Sequence, residues 1–261
     1  MKVALCLSGQ PRCALKTFPY IYENIIQPNN ADVFIHMNYD AENPYIEKRH
    51  LDNGNCILEK GIHQQVIDLY KPIRYLVEKP KQMFKPTIMF PENRILDVMN
   101  MNKHRNMTRE ESKIHSCKQL LSMYYSIYKS NELKETYANE NGFVYDYVIR
   151  LRFDCLPYDK IYVMDKNPNF IYYFHLNQPD ELISDWINFG SNSIMNIYSS
   201  MYLNVEYLNT FLFFKKEERL ENKLEPSNIC GGSCEHILRD LMTLYKIPKQ
   251  AFRSNLHLIK E

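Results

Sequence analysis

Two arginines and an aspartate stand at every second position near the middle of the chain, in the segment VYDYVIRLRFDCLP. Arg150, Arg152 and Asp154 directly follow an apolar run. Alternate residues of a strand point to the same face, so this spacing predicts three charges directed at one spot where a strand leaves the core. Because a buried charge is costly unless it is paired, the segment predicts either an internal ion-pair network or a site for a charged ligand.

A nucleoside diphosphate is a ligand that fits all three charges. Arginine forms two-pronged hydrogen bonds with phosphate oxygens. A carboxylate such as that of Asp154 can hold a divalent cation that bridges those oxygens. The functional interpretation of this segment is therefore a diphosphate site, and the structural alternative is an ion-pair network at the end of a strand.

Two further polar clusters follow predicted strands. The turn-forming residues SGQPR come directly after the first apolar run, and His36 ends the second. Taken alone, these residues fit a turn with a surface arginine and a hydrogen-bonded histidine at the edge of the core. Ligands of open α/β sheets, however, lie beyond the carboxyl ends of the strands. That shared location predicts one nucleotide-binding site, to which Leu7, Ser8, Gly9, Gln10, Arg12 and His36 contribute.

The spacing of apolar residues predicts the elements that position these clusters. Short apolar runs favour strands, and a period of 3.6 residues favours helices. Their alternation near the N-terminus is a βαβ arrangement, which implies a mostly parallel sheet with helices outside it. The predicted strands are residues 2–7, 31–36, 73–78, 144–152, 161–164, 170–174 and 186–190; the predicted helices are residues 14–26, 61–70, 109–137, 191–203, 216–224 and 232–245, and residues 79–106 are predicted to be a loop.

Composition and charge exclude several classes of protein. A formal net charge of +1 over 261 residues gives no sign of a nucleic-acid binder held by bulk electrostatics. No stretch approaches the ~20 apolar residues of a membrane span, and the first residues do not resemble a secretion signal. Seven scattered cysteines favour reduced thiols, although Cys230 and Cys234 have a spacing close to that of metal ligands. We expect a cytoplasmic protein.

Several of these patches together resemble a group of glycosyltransferases that occur in bacterial surface-polysaccharide clusters and in large DNA viruses. The turn SGQPR and the RxRxD block of the opening segment are the most specific parts of the resemblance. The matching patches are residues 8–12, 31–36, 125–129 and 147–154 in the front half, and residues 184–190 and 234–238 in the back half.

The resemblance implies a GT-A-like, Rossmann-like fold that binds a nucleotide-sugar. GT-A enzymes usually carry a DxD motif that holds Mn²⁺ or Mg²⁺ on the diphosphate. This chain has Arg152-Phe153-Asp154 in the corresponding place, so Asp154 is the residue left to hold the metal. Alternatively, Arg150 and Arg152 neutralise the leaving diphosphate without a metal.

The implied reaction is transfer of a sugar from a nucleoside-diphosphate-sugar donor to a hydroxyl of a glycan or glycoconjugate acceptor. An inverting enzyme needs a carboxylate base, for which Asp185 and Glu235 are the candidates; a retaining enzyme does not need one. We expect one domain, with a nucleotide-sugar-binding half at residues 1–157 and an acceptor-side half at residues 158–261.

Two other functions remain open at this point. One is a non-catalytic nucleotide- or glycan-binding protein on the same fold. The other is a different phosphate-handling α/β transferase, such as a nucleotidyltransferase or a kinase. The chain has no GxxxxGK[ST] motif, which argues against a P-loop kinase.

Overall fold

The chain forms an α/β fold around a central sheet of seven strands. The computed structural model describes residues 1–46, 56–81, 83, 108–175, 182–214 and 234–259. In chain order the elements are β1 (Val3–Gly9), α1 (Ala14–Ile21), β2 (Asp32–Asn38), β3 (Tyr45–Ile46), β4 (Cys56–Ile57), α2 (Ile62–Tyr70), β5 (Arg74–Glu78), α3 (Arg109–Glu140), β6 (Tyr147–Leu151), β7 (Cys155–Pro157), β8 (Ile171–Phe174), β9 (Ile187–Ser191), α4 (Asn192–Ser199), α5 (Met201–Phe214), α6 (Cys234–Leu244), β10 (Lys249–Phe252) and β11 (Leu256–Leu258).

The central sheet is mostly parallel, as the sequence predicts. Its strand order is β10-β8-β9-β6-β1-β2-β5. The strands β6, β1, β2 and β5 run parallel to one another, whereas β9 is antiparallel to both β6 and β8. Since β6 belongs to the predicted front half and β9 to the predicted back half, one sheet runs through both halves.

Helices cover both faces of the sheet, because the side chains of each buried strand alternate between two apolar cores. On β1, Leu5 and Leu7 join the core that contains residues of α1 and α2. Ala4 and Cys6 join the other core, to which α3, α4, α5 and α6 contribute. The longest helix, α3, begins at a capping box in which Thr108 and Glu111 bond to each other's backbone, as their spacing predicts.

Three local predictions are wrong. The predicted helix at residues 191–203 is two helices, α4 and α5, and the second reaches Phe214. The helix that begins at Ala14 does not end before Pro28, because a π-helical turn (Tyr22–Ile26) and a short segment (Gln27–Asn29) continue it; Pro28 stands in the first turn of that segment, where a missing N–H costs little. Residues 161–164 are not a strand and form no hairpin with β8. Instead the side chain of Asn29 bonds to the backbone of Ile161 and Val163, which replaces a ladder.

Some predictions concern residues that lie outside the described ranges: the helix at residues 216–224, most of the loop at residues 79–106, and Cys230. Among the described residues, no helix is long and apolar enough to cross a membrane.

Because the side chains of β1 alternate between two buried cores, truncating one of them should lower the stability of the fold. Leu5 is fully buried in the central strand, whereas Leu203 on α5 is 61% exposed. Leu5→Ala should lower the free energy of unfolding by about 2–5 kcal/mol, because it removes buried methyl groups and leaves a cavity. The matched change Leu203→Ala should cost less than about 0.5 kcal/mol. Urea unfolding of both variants measures this, and equal losses would contradict the assignment of Leu5 to the core.

Candidate functional site

The candidate site lies where the order of the sheet reverses. From β1 the chain proceeds to β2 on one side, and β6 adjoins β1 on the other side. In open α/β sheets this reversal leaves a crevice at the carboxyl ends of the strands, and ligands bind there. The strands β1 and β6 end at Gly9 and Leu151, so the SGQPR turn and the charged block meet at this crevice.

Arg152 stands at the centre of an ion-pair cluster. Its Nε and Nη2 donate to the two oxygens of Asp154, each over 2.8 Å. Its Nη1 donates to Oδ2 of Asp185 over 3.0 Å. Nε of Arg12 lies 3.4 Å from Oδ2 of Asp154. The cluster thus joins the turn after β1, the turn after β6 and the segment before β9, and its two guanidinium groups face two carboxylates.

Burial disfavours the charged forms of Arg152 and Asp154, whereas ion pairing favours them. Burial by itself would lower the pKa of Arg152, but the carboxylates of Asp185 and Asp154 raise it well above its ordinary value. Burial would likewise raise the pKa of Asp154, and the guanidinium groups of Arg152 and Arg12 hold it below its ordinary value. Arg152 and Asp154 are therefore charged at neutral pH, and each is compensated within the protein.

Arg150 has a different environment from Arg152. Its neighbours in register are Cys6 on β1 and Asn188 on β9. The thiol of Cys6 donates to a backbone carbonyl of α3, and Oδ1 of Asn188 accepts from the hydroxyl of Tyr198. Arg150 is only 2% exposed, and Nε and Nη1 of its guanidinium have no hydrogen-bond partner among the described residues.

The end of β1 adds a buried hydroxyl and an open turn. Ser8 lies two residues beyond Cys6 on the strand and is 3% exposed, and its Oγ has no partner among the described residues. Gly9 has a φ of 122°, and a Cβ there would meet nothing within 4 Å. The positive φ favours glycine at this position. Leu7 is fully buried in the core and is paired in register with both Ile35 of β2 and Leu151 of β6, so neither its side chain nor its paired backbone faces a ligand. Gln10 is half-buried.

His36 belongs to a separate network on β2, β5 and α3. Nδ1 of His36 lies 2.7 Å from Oγ of Ser126, and Nε2 lies 3.1 Å from Oε2 of Glu78. Tyr125 donates to Glu78 over 2.8 Å, and Lys81 pairs with Glu78 over 2.7 Å. Both ring nitrogens of His36 are occupied, so the ring has no free nitrogen for the nucleotide contact that the sequence predicts.

Sequence reasoning missed the partners of His36. Glu78 ends β5 as His36 approaches the end of β2, and polar residues at neighbouring strand ends were the signal that could have found it. Burial alone would raise the pKa of Glu78, but hydrogen bonds from Lys81, His36 and Tyr125 outweigh that effect and lower the pKa to about 2. Tyr125 is 8% exposed, so its contact with Glu78 is largely shielded from solvent.

The two candidate bases occupy different surroundings. Asp185 is 5% exposed and belongs to the Arg152 cluster through Oδ2; no described residue bonds to its Oδ1. Glu235 stands half-buried in the first turn of α6. Among the described residues Glu235 makes no hydrogen bond or ion pair with the cluster. The structure therefore brings Arg12, Arg152, Asp154 and Asp185 together and leaves Glu235 apart.

Asp154 does not fit the metal-binding role that the resemblance implies. Both of its oxygens accept from Arg152, and one of them also faces Arg12. A divalent cation would have to compete with two guanidinium groups for these oxygens. Within the described ranges no group of three or more histidine, cysteine, aspartate or glutamate residues could hold a metal ion.

A cavity of about 250 Å³ opens beside the first turn of α1, immediately after Arg12. It is lined by side chains of α1 and of the segment that leads into α2: Cys13, Ala14, Leu15, Lys16, Leu58, Glu59 and Ile62. Pockets for drug-sized ligands occupy about 300–1,000 Å³. This cavity therefore has room for one part of a nucleotide. Ala14, Leu58 and Ile62 of its lining belong to the core on the α1–α2 face of the sheet.

Comparison with known proteins adds no assignment: no protein-family model matches the chain, and no curated protein matches it.

The His36 network makes a prediction about pH. Burial lowers the pKa of His36 in the folded protein, although Glu78 opposes the shift; the nearby Lys129 and Lys81 lower it further. Below about pH 6.5, the ordinary histidine pKa, the unfolded chain binds more protons at this position, so the folded state loses stability as the pH falls. His36→Gln should remove this part of the pH dependence.

Urea unfolding of both proteins at pH 7.5 and pH 5.5 measures the effect. We expect the free energy of unfolding of the parent to fall more between these two pH values than that of His36→Gln. Parallel losses in the two proteins would show that His36 takes up its proton equally in the folded and the unfolded state.

Proposed function

We propose that the protein is a GT-A-like glycosyltransferase, which binds a nucleoside-diphosphate-sugar at the reversal point of its sheet and transfers the sugar to a hydroxyl of a glycan or other acceptor. The observation that carries the proposal is Arg150, a buried guanidinium with two nitrogens that no described residue satisfies. A buried charge without a partner is costly, and an anionic ligand would offset that cost. The position at the carboxyl edge of the sheet is where nucleotides bind in such folds.

The diphosphate has the chemistry that this position requires. Its oxygens can accept from Nε and Nη1 of Arg150 in the two-pronged geometry that arginine favours. The hydroxyl of Ser8 is a further donor at the end of β1, and Gly9 keeps the backbone open to close approach. The cavity that follows Arg12 would take the nucleoside. Because its lining belongs to the α1–α2 face and Arg150 is in register with Cys6 on the other face, the donor would have to cross the carboxyl edge of the sheet.

The proposed chemistry places the arginine at the leaving group. The bond between the anomeric carbon of the sugar and the diphosphate oxygen breaks, and its electron pair stays on the diphosphate. The acceptor oxygen forms the new bond to that carbon and gives up its proton to a carboxylate base. A fixed cation beside the diphosphate stabilises the charge that develops there. Arg150 supplies that cation, because Arg152 is already paired with Asp154 and Asp185.

Asp185 is the base that this arrangement favours. Arg152 holds it by Oδ2, which fixes the carboxylate at the crevice and leaves Oδ1 for the acceptor hydroxyl. Glu235 is the alternative, on α6. A protein that only binds nucleotides would need neither carboxylate, so it would bind a donor without transferring or hydrolysing it.

Ligand binding gives the first test. Thermal unfolding with UDP-, GDP-, dTDP- and CMP-sugars should single out at least one diphosphate donor. At a donor concentration of about one hundred times Kd, the melting temperature should rise by about 5–10 °C. If no donor raises it, with or without Mn²⁺, the proposal is wrong. Stabilisation without transfer or hydrolysis would identify a non-catalytic binding protein.

Arg150→Met gives a second test with two opposite readouts. The affinity for the donor should fall about 10- to 100-fold, since a charge-assisted hydrogen bond contributes about 1.5–3 kcal/mol. The stability of the unliganded protein should stay equal or increase, because the variant no longer buries an unpaired charge. Arg74→Met, which breaks the exposed pair between Arg74 and Glu140 at the start of β5, should leave donor affinity unchanged. A strongly destabilised Arg150→Met protein with unaltered donor affinity would contradict the assignment.

A further inference from the structure

We infer that Arg152, assisted by Arg12, takes the place of a divalent cation, so that the site works with positive charges tethered to the chain. The inference rests on the proposed function for its role in transfer, but the arrangement of the four charged side chains carries it. The arginines would then organise the site, and donor binding would not depend on metal ions.

The geometry of the cluster is that of two carboxylates converging on one cation. Asp154 and Asp185 come from separate parts of the chain, and both bond to the guanidinium of Arg152, over 2.8 Å and 3.0 Å. The three side chains are largely buried, with 23%, 8% and 7% of Arg152, Asp154 and Asp185 exposed. Carboxylate oxygens are also the ligands that Mg²⁺ and Mn²⁺ prefer, so here a guanidinium occupies a position that such an ion could otherwise take.

The charges balance as they would around a divalent cation. Two carboxylates carry two negative charges, and Arg12 and Arg152 together carry the two positive charges of such an ion. A metal ion placed between Asp154 and Asp185 as well would add two charges beside a guanidinium that already occupies both oxygens of Asp154. The cluster is thus complete without a metal, and its bonds tie together the three segments that form the crevice.

The two arginines at the end of β6 and in the turn after it would then have different roles. Arg152 fixes Asp154 and Asp185, as a metal ion would, and is therefore a positioning residue. Arg150 has no carboxylate among its described neighbours and is left to meet the diphosphate. The donor should then bind equally well in EDTA and in Mn²⁺.

The test measures binding of Mn²⁺ alone, by isothermal titration calorimetry and by the shift in melting temperature, and needs no donor. The parent protein should not bind Mn²⁺ at this cluster at millimolar concentration. Arg152→Ala should melt several degrees lower, because it leaves Asp154 and Asp185 beside each other with only Arg12 to compensate them. It should gain Mn²⁺ binding that restores part of the lost melting temperature, and the added change Asp154→Asn should abolish that gain.

Arg74→Ala is the matched control, since it removes an arginine that faces a single exposed carboxylate of Glu140; it should gain no Mn²⁺ binding. A folded Arg152→Ala protein that does not respond to Mn²⁺ would overturn the inference. So would Mn²⁺ binding by the parent that Asp154→Asn removes, and this measurement decides the matter even where Arg152→Ala fails to fold. None of these readouts depends on transfer, so a failed donor screen and a failed cation test remain distinguishable.

Discussion

The site depends on the uneven compensation of two neighbouring arginines. Arg150, near the end of β6, is buried, and Arg152, in the turn that follows, is half-buried. Arg152 meets two carboxylates, whereas Arg150 meets none among the described residues. Taking a guanidinium out of water without an acceptor costs several kcal/mol. The rest of the fold has to sustain that cost, and the two apolar cores on either side of the sheet provide the stability to do so.

The strand order explains why the unpaired charge lies at this end of the sheet. Because β1 and β6 are neighbours although a long stretch of chain separates them, the turn after β1 and the charged block after β6 come together. The Arg152 cluster then joins these turns to the segment before β9, and Arg150 stays buried in register with Cys6 of β1. Under the proposed function, such a site would trade stability for binding.

Local patterns in the sequence predict six of the seven strands of the central sheet and the capping box of α3, because periodicity and capping depend on neighbouring residues. They do not predict β10 at the edge of that sheet. The same patterns predict that Arg150, Arg152 and Asp154 lie together, but not which arginine is paired. That depends on Asp185 and Arg12, which approach from distant parts of the chain. The sequence also does not predict the network of His36, because its partners Glu78 and Ser126 come near only when β5 and α3 pack against β2. Residues 161–164 have a strand-like composition but do not form a strand. Their backbone bonds to the side chain of Asn29 and to the carbonyl of Asn24 instead of to a neighbouring strand.

The most direct test of this account is a crystal structure of the protein with pyrophosphate or a nucleoside diphosphate, determined in the presence of EDTA. The account predicts phosphate oxygens within hydrogen-bonding distance of Nε and Nη1 of Arg150, near the hydroxyl of Ser8, while Arg152 still bonds to Asp154 and Asp185. A phosphate bound to Arg152 in place of its carboxylates, or a protein acceptor on Arg150 with the anion elsewhere, would contradict it.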